Sequence, residues 1–259
     1  FVLYANIDKF EAQNYDRAEY ASKRTIIDRW ILSRLNSLIK NVDARLDQND
    51  ITAASRYLQD FLDELSNWYV RRSRERYWGP EMDDDKIVAY LTLYEVLEKF
   101  VRLIAPFTPF IAEMIYQNIV AGHLDSARES VHFEDYPEAD ESLIDVQLEK
   151  DMDLLLDLVS LGRAARNTAQ LKIRQPLAKA IVVGGRELPQ ELMDLLKDEL
   201  NIKDIEFGAE ASALIDYEFK PQLRTLGKRM GKDLNRAREL IPELPGRATI
   251  EALRRGETI

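Results

Sequence analysis

Three successive stretches of this chain repeat apolar residues at the three-and-four spacing of an α-helix, and that period limits the fold before any other feature does. From Thr25 onward, Ile27, Trp30, Ile31, Leu35, Leu38, Val42 and Leu46 fall on one helical face. Asn49 and Asp50 supply caps for the next run. There Leu58, Phe61, Leu62, Leu65, Trp68, Tyr69 and Arg72 share a face until Gly79-Pro80 stops the helix. Asp83, Asp84 and Asp85 favour a third helix start through the dipole, and Ile87, Tyr90, Leu91, Tyr94, Leu97, Val101 and Ile104 form its buried face. The run APFTPF (Ala105 to Phe110) breaks the period. Pro106 disfavours helix before it, and Thr108-Pro109 offers an N-cap and a first-turn proline for a fourth, shorter helix ending at Gly122. Four such helices with short connections make a bundle.

The remainder reads differently. Phe1 to about Tyr20 mixes apolar and acidic residues and suggests a leading strand or loop. Ala127 to Asp140 is a polar link, and a fifth long helix starts near Ser142, carrying Val146, Met152, Leu155, Leu156 and Val159. After Gln175-Pro176 the period changes. Ala180 to Val183 reads as a buried strand before a Gly184-Gly185 turn, Pro189 to Leu200 as a helix, Ile202 to Phe207 as a short strand, and Ala213 to Phe219 as a third strand. Leu223 to Leu240 is a basic helix, and Arg247 to Ile259 resembles a strand followed by a turn. The expected fold class is mostly α: a leading segment over 1–24, a helix bundle over 25–141, then a long helix with a smaller α/β domain over 142–259. The first residue is not Met and the last domain stops short, so the chain reads as a piece of a longer protein.

Within the second helix lies NWYVRRSRERYW, Asn67 to Trp78, with Arg71, Arg72, Arg74 and Arg76 between paired aromatics and Glu75 the single acid. Arginines interleaved with flat side chains suit a nucleic-acid surface, where cations meet phosphates and rings stack on exposed bases. Helical spacing sorts the stretch. Trp68 and Tyr69 belong with the core, whereas Asn67, Arg71, Arg74 and Trp78 share another face, the candidate contact surface. The alternative is structural: arginines near a helix end offset the macrodipole and pair with acids. Two further basic stretches stand on an acidic background. One holds Arg163, Arg166, Lys172, Arg174 and Lys179 without an acid; the other holds Lys220, Arg224, Lys228, Arg229, Lys232, Arg236 and Arg238 with Asp233 alone. For Arg163 and Arg166, compensation of a helix C-terminus is the competing explanation.

A net charge of −10 argues against loose, sequence-blind binding to polyanions, so an anionic partner would have to be fitted by shape. With no cysteine there is no disulfide, thiol nucleophile or cysteine-ligated zinc, and His123 and His132 are too isolated for a histidine metal site. No apolar run is long enough to span a bilayer and no leader is present, so no membrane partner and a cytoplasmic location are expected. Gly184-Gly185 is a lone pair, and Gly227 and Gly231 sit within a basic helix without the context of a phosphate loop. No nucleophile elbow occurs, and Asp83 to Asp85 read as a solvated helix start. The motifs assign no catalytic residue and no metal ligand. They describe a binder.

LSNWYVRRSRERYW (Leu65 to Trp78), LIAPFTPFIAEMIYQNI (Leu103 to Ile119), SVHFEDYP (Ser130 to Pro137) and LGRAARNTAQLKIRQPL (Leu161 to Leu177) closely resemble, in this order, the post-catalytic part of isoleucyl-tRNA synthetases. The first two are shared with valyl- and leucyl-tRNA synthetases, and the fourth favours the isoleucyl member. The likeness runs from about Thr25 to Arg238. It implies that Thr25 to about Gly122 is a helical anticodon-binding domain, that 1–24 leads in from a catalytic domain, and that the later part steadies the tRNA. Family enzymes activate isoleucine with ATP and magnesium and transfer it to tRNA(Ile). Their HIGH and KMSKS sequences and an editing domain are absent here, which implies a catalytically inert piece whose partners are tRNA(Ile) and the catalytic and editing domains of the same chain. No cofactor is implied for the piece itself, and the lack of cysteine resembles the zinc-free type. The resemblance implies tRNA contacts first at Arg71, Arg74 and Trp78, next at Arg163, Arg166, Lys172 and Arg174, then at Lys228, Arg229 and Lys232. Competing readings are the same region of a valyl-type enzyme and a helical protein-interaction module.

Overall fold

In the computed structural model, which describes residues 1–124, 126–208, 219–222 and 231–257, the leading segment is helical rather than a strand or loop. Helices α1 (Val2–Asp8) and α2 (Arg17–Ala21) flank a 3-10 turn at Ala12–Asn14. The Asp16 carboxylate accepts the Ala18 N–H at 2.9 Å and so starts α2. Between the two helices the Phe10 ring stacks on Tyr15 and on Tyr90, with centroids 5.4 and 4.8 Å apart. Burial against a distant aromatic, which the local pattern does not announce, decides this conformation.

Helix α3 (Ile26–Asp47) opens on a reciprocal cap. Asp28 N–H donates to Thr25 Oγ1 and Thr25 N–H donates to the Asp28 carboxylate, so two donors orphaned at the helix start are satisfied together. Trp30, Ile31, Leu35, Leu38 and Val42 are buried on its inner side, each contributing about 1.5–3 kcal/mol of transfer free energy. The left-handed Asn49 (φ 57°) ends it, and Asp50 caps α4 (Ile51–Glu64) by accepting the Ala53 N–H at 3.0 Å. After one π-helical turn, Leu65–Val70, the same rod continues as α5 (Arg71–Trp78).

Helix α6 (Asp84–Ile104), capped by Asp83 on the Lys86 N–H, is the centre of the bundle. Its sequence predicts one buried face, yet every residue from Lys86 to Val96 is buried. The leading segment accounts for the difference by covering the side that would otherwise meet water. Lys86 pairs there with Asp8 at 2.7 Å, and Arg24 with Glu95 at 2.9 Å. Helix α7 (Pro109–Tyr116) has Pro109 in its first turn as expected, but the Thr108 hydroxyl donates back to the Ile104 carbonyl at 3.3 Å instead of capping.

The polar link is pinned down. Glu113 accepts from Ser130 Oγ at 2.8 Å and Val131 N–H at 3.0 Å, and Val131 is buried. Asn36 Oδ1 accepts the Asp140 N–H at 2.9 Å. Helix α8 (Val146–Thr168) then buries Leu148, Met152, Leu155 and Val159.

The chain divides into two units, one of Phe1–Ala164 with Pro189–Leu196 and one of Ala165–Leu188 with Lys197–Ile259. In the second, β1 (Leu177–Val182) pairs in parallel with β2 (Ile202–Phe207), Leu177 opposite Ile202; the intervening α9 (Gln190–Leu200) starts in the first unit and ends in the second. The first strand is not the buried AIVV segment expected. It begins earlier and its residues are half-buried or exposed, Ile181 at 40 % and Val183 just beyond it at 50 %, because only one neighbouring strand flanks it among the described residues. The expected strand at Ala213–Phe219 falls largely outside the described residues, as does the first part of the expected basic helix; its end is α10 (Leu234–Leu240). The last segment is a helix, α11 (Gly246–Arg254), not a strand and turn. Pro245 stands just before it, and the Pro245 carbonyl accepts the Thr249 N–H at 3.0 Å ahead of a run of helix-favouring residues. Among the described residues no helix is long and apolar enough to cross a membrane.

Candidate nucleic-acid interface

The rod formed by α4, the π turn and α5 positions the arginine stretch. Ala54, Leu58, Phe61 and Leu65 are buried at helical spacing, and then Tyr69, Ser73 and Tyr77 continue the buried row. A π turn holds more residues than an α turn, so it shifts the phase of everything that follows. Already ahead of that turn, Leu62, expected in the core, is 48 % exposed, whereas Leu65 is 3 % exposed. Trp68 is only half-buried, and Tyr69 alone of that pair is fully enclosed.

On the outer side Asn67, Arg71, Arg74 and Trp78 are all exposed, so the structure brings together the face expected from spacing. Arg71 Nε donates to the Asn67 carbonyl at 2.8 Å, and its guanidinium lies 5.5 Å from the Trp68 ring centre, a cation–π contact that braces the charge against the rod. Trp78 is 58 % exposed and its indole N–H donates to the Tyr4 hydroxyl at 2.9 Å. Arg74 and Trp78 line a shallow hollow with Tyr4, Val70 and Tyr77. Tyr4 is a neighbour that no motif signals, since it lies in the leading segment.

The other arginines of the stretch divide by burial. Arg76 turns inward: Nη1 meets Asp28 Oδ1 at 2.9 Å and Nη2 meets Asp28 Oδ2 at 3.0 Å, while Nε shares the Asp85 carboxylate. Tyr69 also donates to Asp28, at 2.8 Å. Burial pushes the Asp28 carboxyl upward, but the Arg76 guanidinium and the Thr25 and Tyr69 hydroxyls outweigh it and hold it below the usual carboxylate range. Burial likewise drives the Tyr69 phenol well above its ordinary value. For Arg76 the acid-pairing explanation is the correct one. Arg72 is half-buried.

The second basic stretch also divides. Arg163, on α8, is exposed. Arg166 is 4 % exposed, and its guanidinium is committed to the carbonyls of Lys172, Gln175, Leu200 and Asn201 at 2.7–3.1 Å, so it does not lie on a contact surface. Sequence spacing placed it with Arg163; the chain's return past the end of α8 buries it. Lys172 and Arg174 are exposed on the turn that follows. Lys228 and Arg229 lie outside the described residues, and of Lys232 only the backbone, in the 3-10 turn Gly231–Asp233, is described. Among the described residues no group of three or more His, Cys, Asp or Glu side chains could hold a metal ion.

Set beside known proteins, residues 28–182 match the family described as the anticodon-binding domain of tRNA ligase. An isoleucine–tRNA ligase of Clostridium acetobutylicum is 47 % identical over 259 residues, covering 100 % of this chain and 25 % of that protein. One from Clostridium tetani is 44 % identical over the same coverage. One from Dehalococcoides mccartyi is 49 % identical over 208 residues, 78 % of this chain and 20 % of its own length. The chain thus spans about a quarter of the length of such relatives.

Proposed function

The chain belongs to the family of tRNA ligases that share this anticodon-binding domain, and on that premise we propose that it is the tRNA-recognition part of an isoleucine–tRNA ligase, holding the anticodon end of tRNA(Ile). One observation carries the reading: Asn67, Arg71, Arg74 and Trp78 stand exposed together on a rod whose opposite face is locked into the core. Unpaired anticodon bases would stack on the exposed indole and be read on their edges, while the guanidinium groups fix the backbone. The net charge of −10 opposes a polyanion that does not seat on basic surface of this kind. Isoleucine enzymes among the relatives favour the isoleucyl reading over a valyl-type one. ATP and magnesium are assigned no residue of this chain. In an intact enzyme of this kind, catalytic and editing parts would be its other partners, and Leu3 and Ile7, 68 % and 66 % exposed on α1, offer apolar surface for protein contact.

A gel-shift titration with isoleucine tRNA, beside the same tRNA carrying another anticodon and at two salt concentrations, tests the proposal. The expected result is tighter, salt-sensitive binding of the native anticodon, with a log–log slope of about 0.7–0.9 per phosphate contact. Equal affinity for both anticodons would overturn anticodon recognition by this part, and binding indifferent to salt would favour a protein-interaction module.

A further inference from the structure

The turn after α8 is held from within. The helix ends with Gln170 in the left-handed region (φ 56°), Leu171 N–H reaching the Arg166 carbonyl at 2.8 Å and Gln170 N–H reaching the Asn167 carbonyl at 3.1 Å, a pairing that stops a helix and reverses the chain. The next residues close a turn through the Gln175 N–H on the Lys172 carbonyl at 3.0 Å. Beneath it lies the Arg166 guanidinium. Nη1 donates to the Lys172 and Gln175 carbonyls at 3.1 and 3.0 Å, and Nη2 to the Leu200 and Asn201 carbonyls at 2.7 and 3.1 Å. Asn201, itself left-handed (φ 50°), donates from Nδ2 to the Ile173 carbonyl at 3.0 Å.

The carbonyls of Lys172, Ile173 and Gln175 are therefore all engaged by side chains packed against the turn. Carbonyl oxygens carry partial negative charge, and drawing them toward Arg166 and Asn201 takes them from the outer surface. To solvent the turn offers Lys172 and Arg174 beside the exposed Ile173 and Gln175, with no aromatic on which a base could stack. A compact ammonium and a forked guanidinium a few residues apart suit phosphate oxygens rather than base edges.

We propose that the Lys172–Gln175 turn is a contact site for the phosphodiester backbone of the bound RNA, and that buried Arg166 is the positioning residue that fixes its shape. This rests on the reading of the chain as a tRNA binder. Arg166 touches no ligand; it acts through the carbonyls it gathers. A flexible turn would lose conformational entropy on meeting RNA, and the guanidinium removes that cost in advance.

The test is a double-mutant cycle on the full chain with isoleucine tRNA. Lys172→Ala with Arg174→Ala is measured in the parent background and in Arg166→Lys, which keeps the charge but not the fork. Asn201→Gly, which keeps the left-handed backbone and removes only the bond to Ile173, is the milder third background. In the parent, truncating both cations should weaken binding severalfold and reduce the salt slope by about 0.7–0.9 for each phosphate no longer met. In Arg166→Lys the same pair should cost markedly less, with Asn201→Gly in between. Should Arg166→Lys fail to fold by circular dichroism, the Asn201→Gly background decides. A parent chain that binds no tRNA overturns the proposed function and this inference together. Retained binding to which the two cations contribute nothing, or contribute equally in every background, overturns the inference alone.

Discussion

Arg76 and Asp28 form a two-pronged ion pair across the bundle, with both guanidinium–carboxylate contacts between 2.9 and 3.0 Å and the Asp28 side chain wholly buried. It joins α5 to the first turn of α3, and the same carboxylate also closes the Thr25 cap and accepts from Tyr69. One buried acid thus ties the arginine rod to the helix beneath it.

Removing one partner of such a pair strands the other. Arg76→Met should cost about 3–5 kcal/mol, since Asp28 would remain charged and enclosed. At this chain length that is a fall in melting temperature on the order of 10 °C. Asp28→Asn should cost less, because Arg76 keeps Asp85 at 2.9 Å. Thermal melts of the two variants at pH 7 check both the loss and its order.

The same pair predicts an acid limb. The folded-state pKa of Asp28 is depressed, so its contribution is complete above the unfolded value of about 3.9 and is lost as the pH falls through the lower folded value. Denaturant titrations from pH 7 downward should show the parent losing stability below about pH 4 more steeply than Asp28→Asn. Glu64, which burial raises despite its pairing with Arg34, contributes with the opposite sign, and the difference between parent and variant removes it.

Leu62 and Leu65 test which side of the rod faces the core, Leu62 being 48 % and Leu65 3 % exposed. Leu65→Ala should destabilise by about 2–5 kcal/mol as a core truncation, and Leu62→Ala by no more than about 0.5 kcal/mol. Equal costs in denaturant melts would mean that Leu62 is enclosed as fully as Leu65.

These two leucines also mark what the sequence could reveal. The long helices were legible because the apolar period is sustained, with Asp50 as a cap and the acidic run from Asp83 at two of the starts. The outer face of Asn67, Arg71, Arg74 and Trp78 was legible because those residues share the rod beyond the start of the π turn and keep their spacing. The phase shift itself leaves no mark in residue type. Nor does the burial of Arg166, whose acceptors Leu200 and Asn201 are distant in sequence, or the helical leading segment, which depends on Tyr90. Partners supplied by tertiary packing settle all three.

Arg71 and Arg74 carry the last prediction. Both are exposed, so Arg71→Ala with Arg74→Ala should leave the melting temperature nearly unchanged while weakening tRNA binding by about 1–3 kcal/mol in total. Trp68→Ala is the informative companion. Arg71 lies over the Trp68 ring, so removing the indole unbraces the guanidinium and should reduce affinity, and because Trp68 is only half-buried the stability loss should stay below the roughly 3–5 kcal/mol of a full core truncation. Melts and binding isotherms on the same samples separate the two effects. Affinity unchanged in the double arginine variant would remove that face from the binding surface, whereas a collapse in stability would show that the arginines hold the rod rather than the RNA.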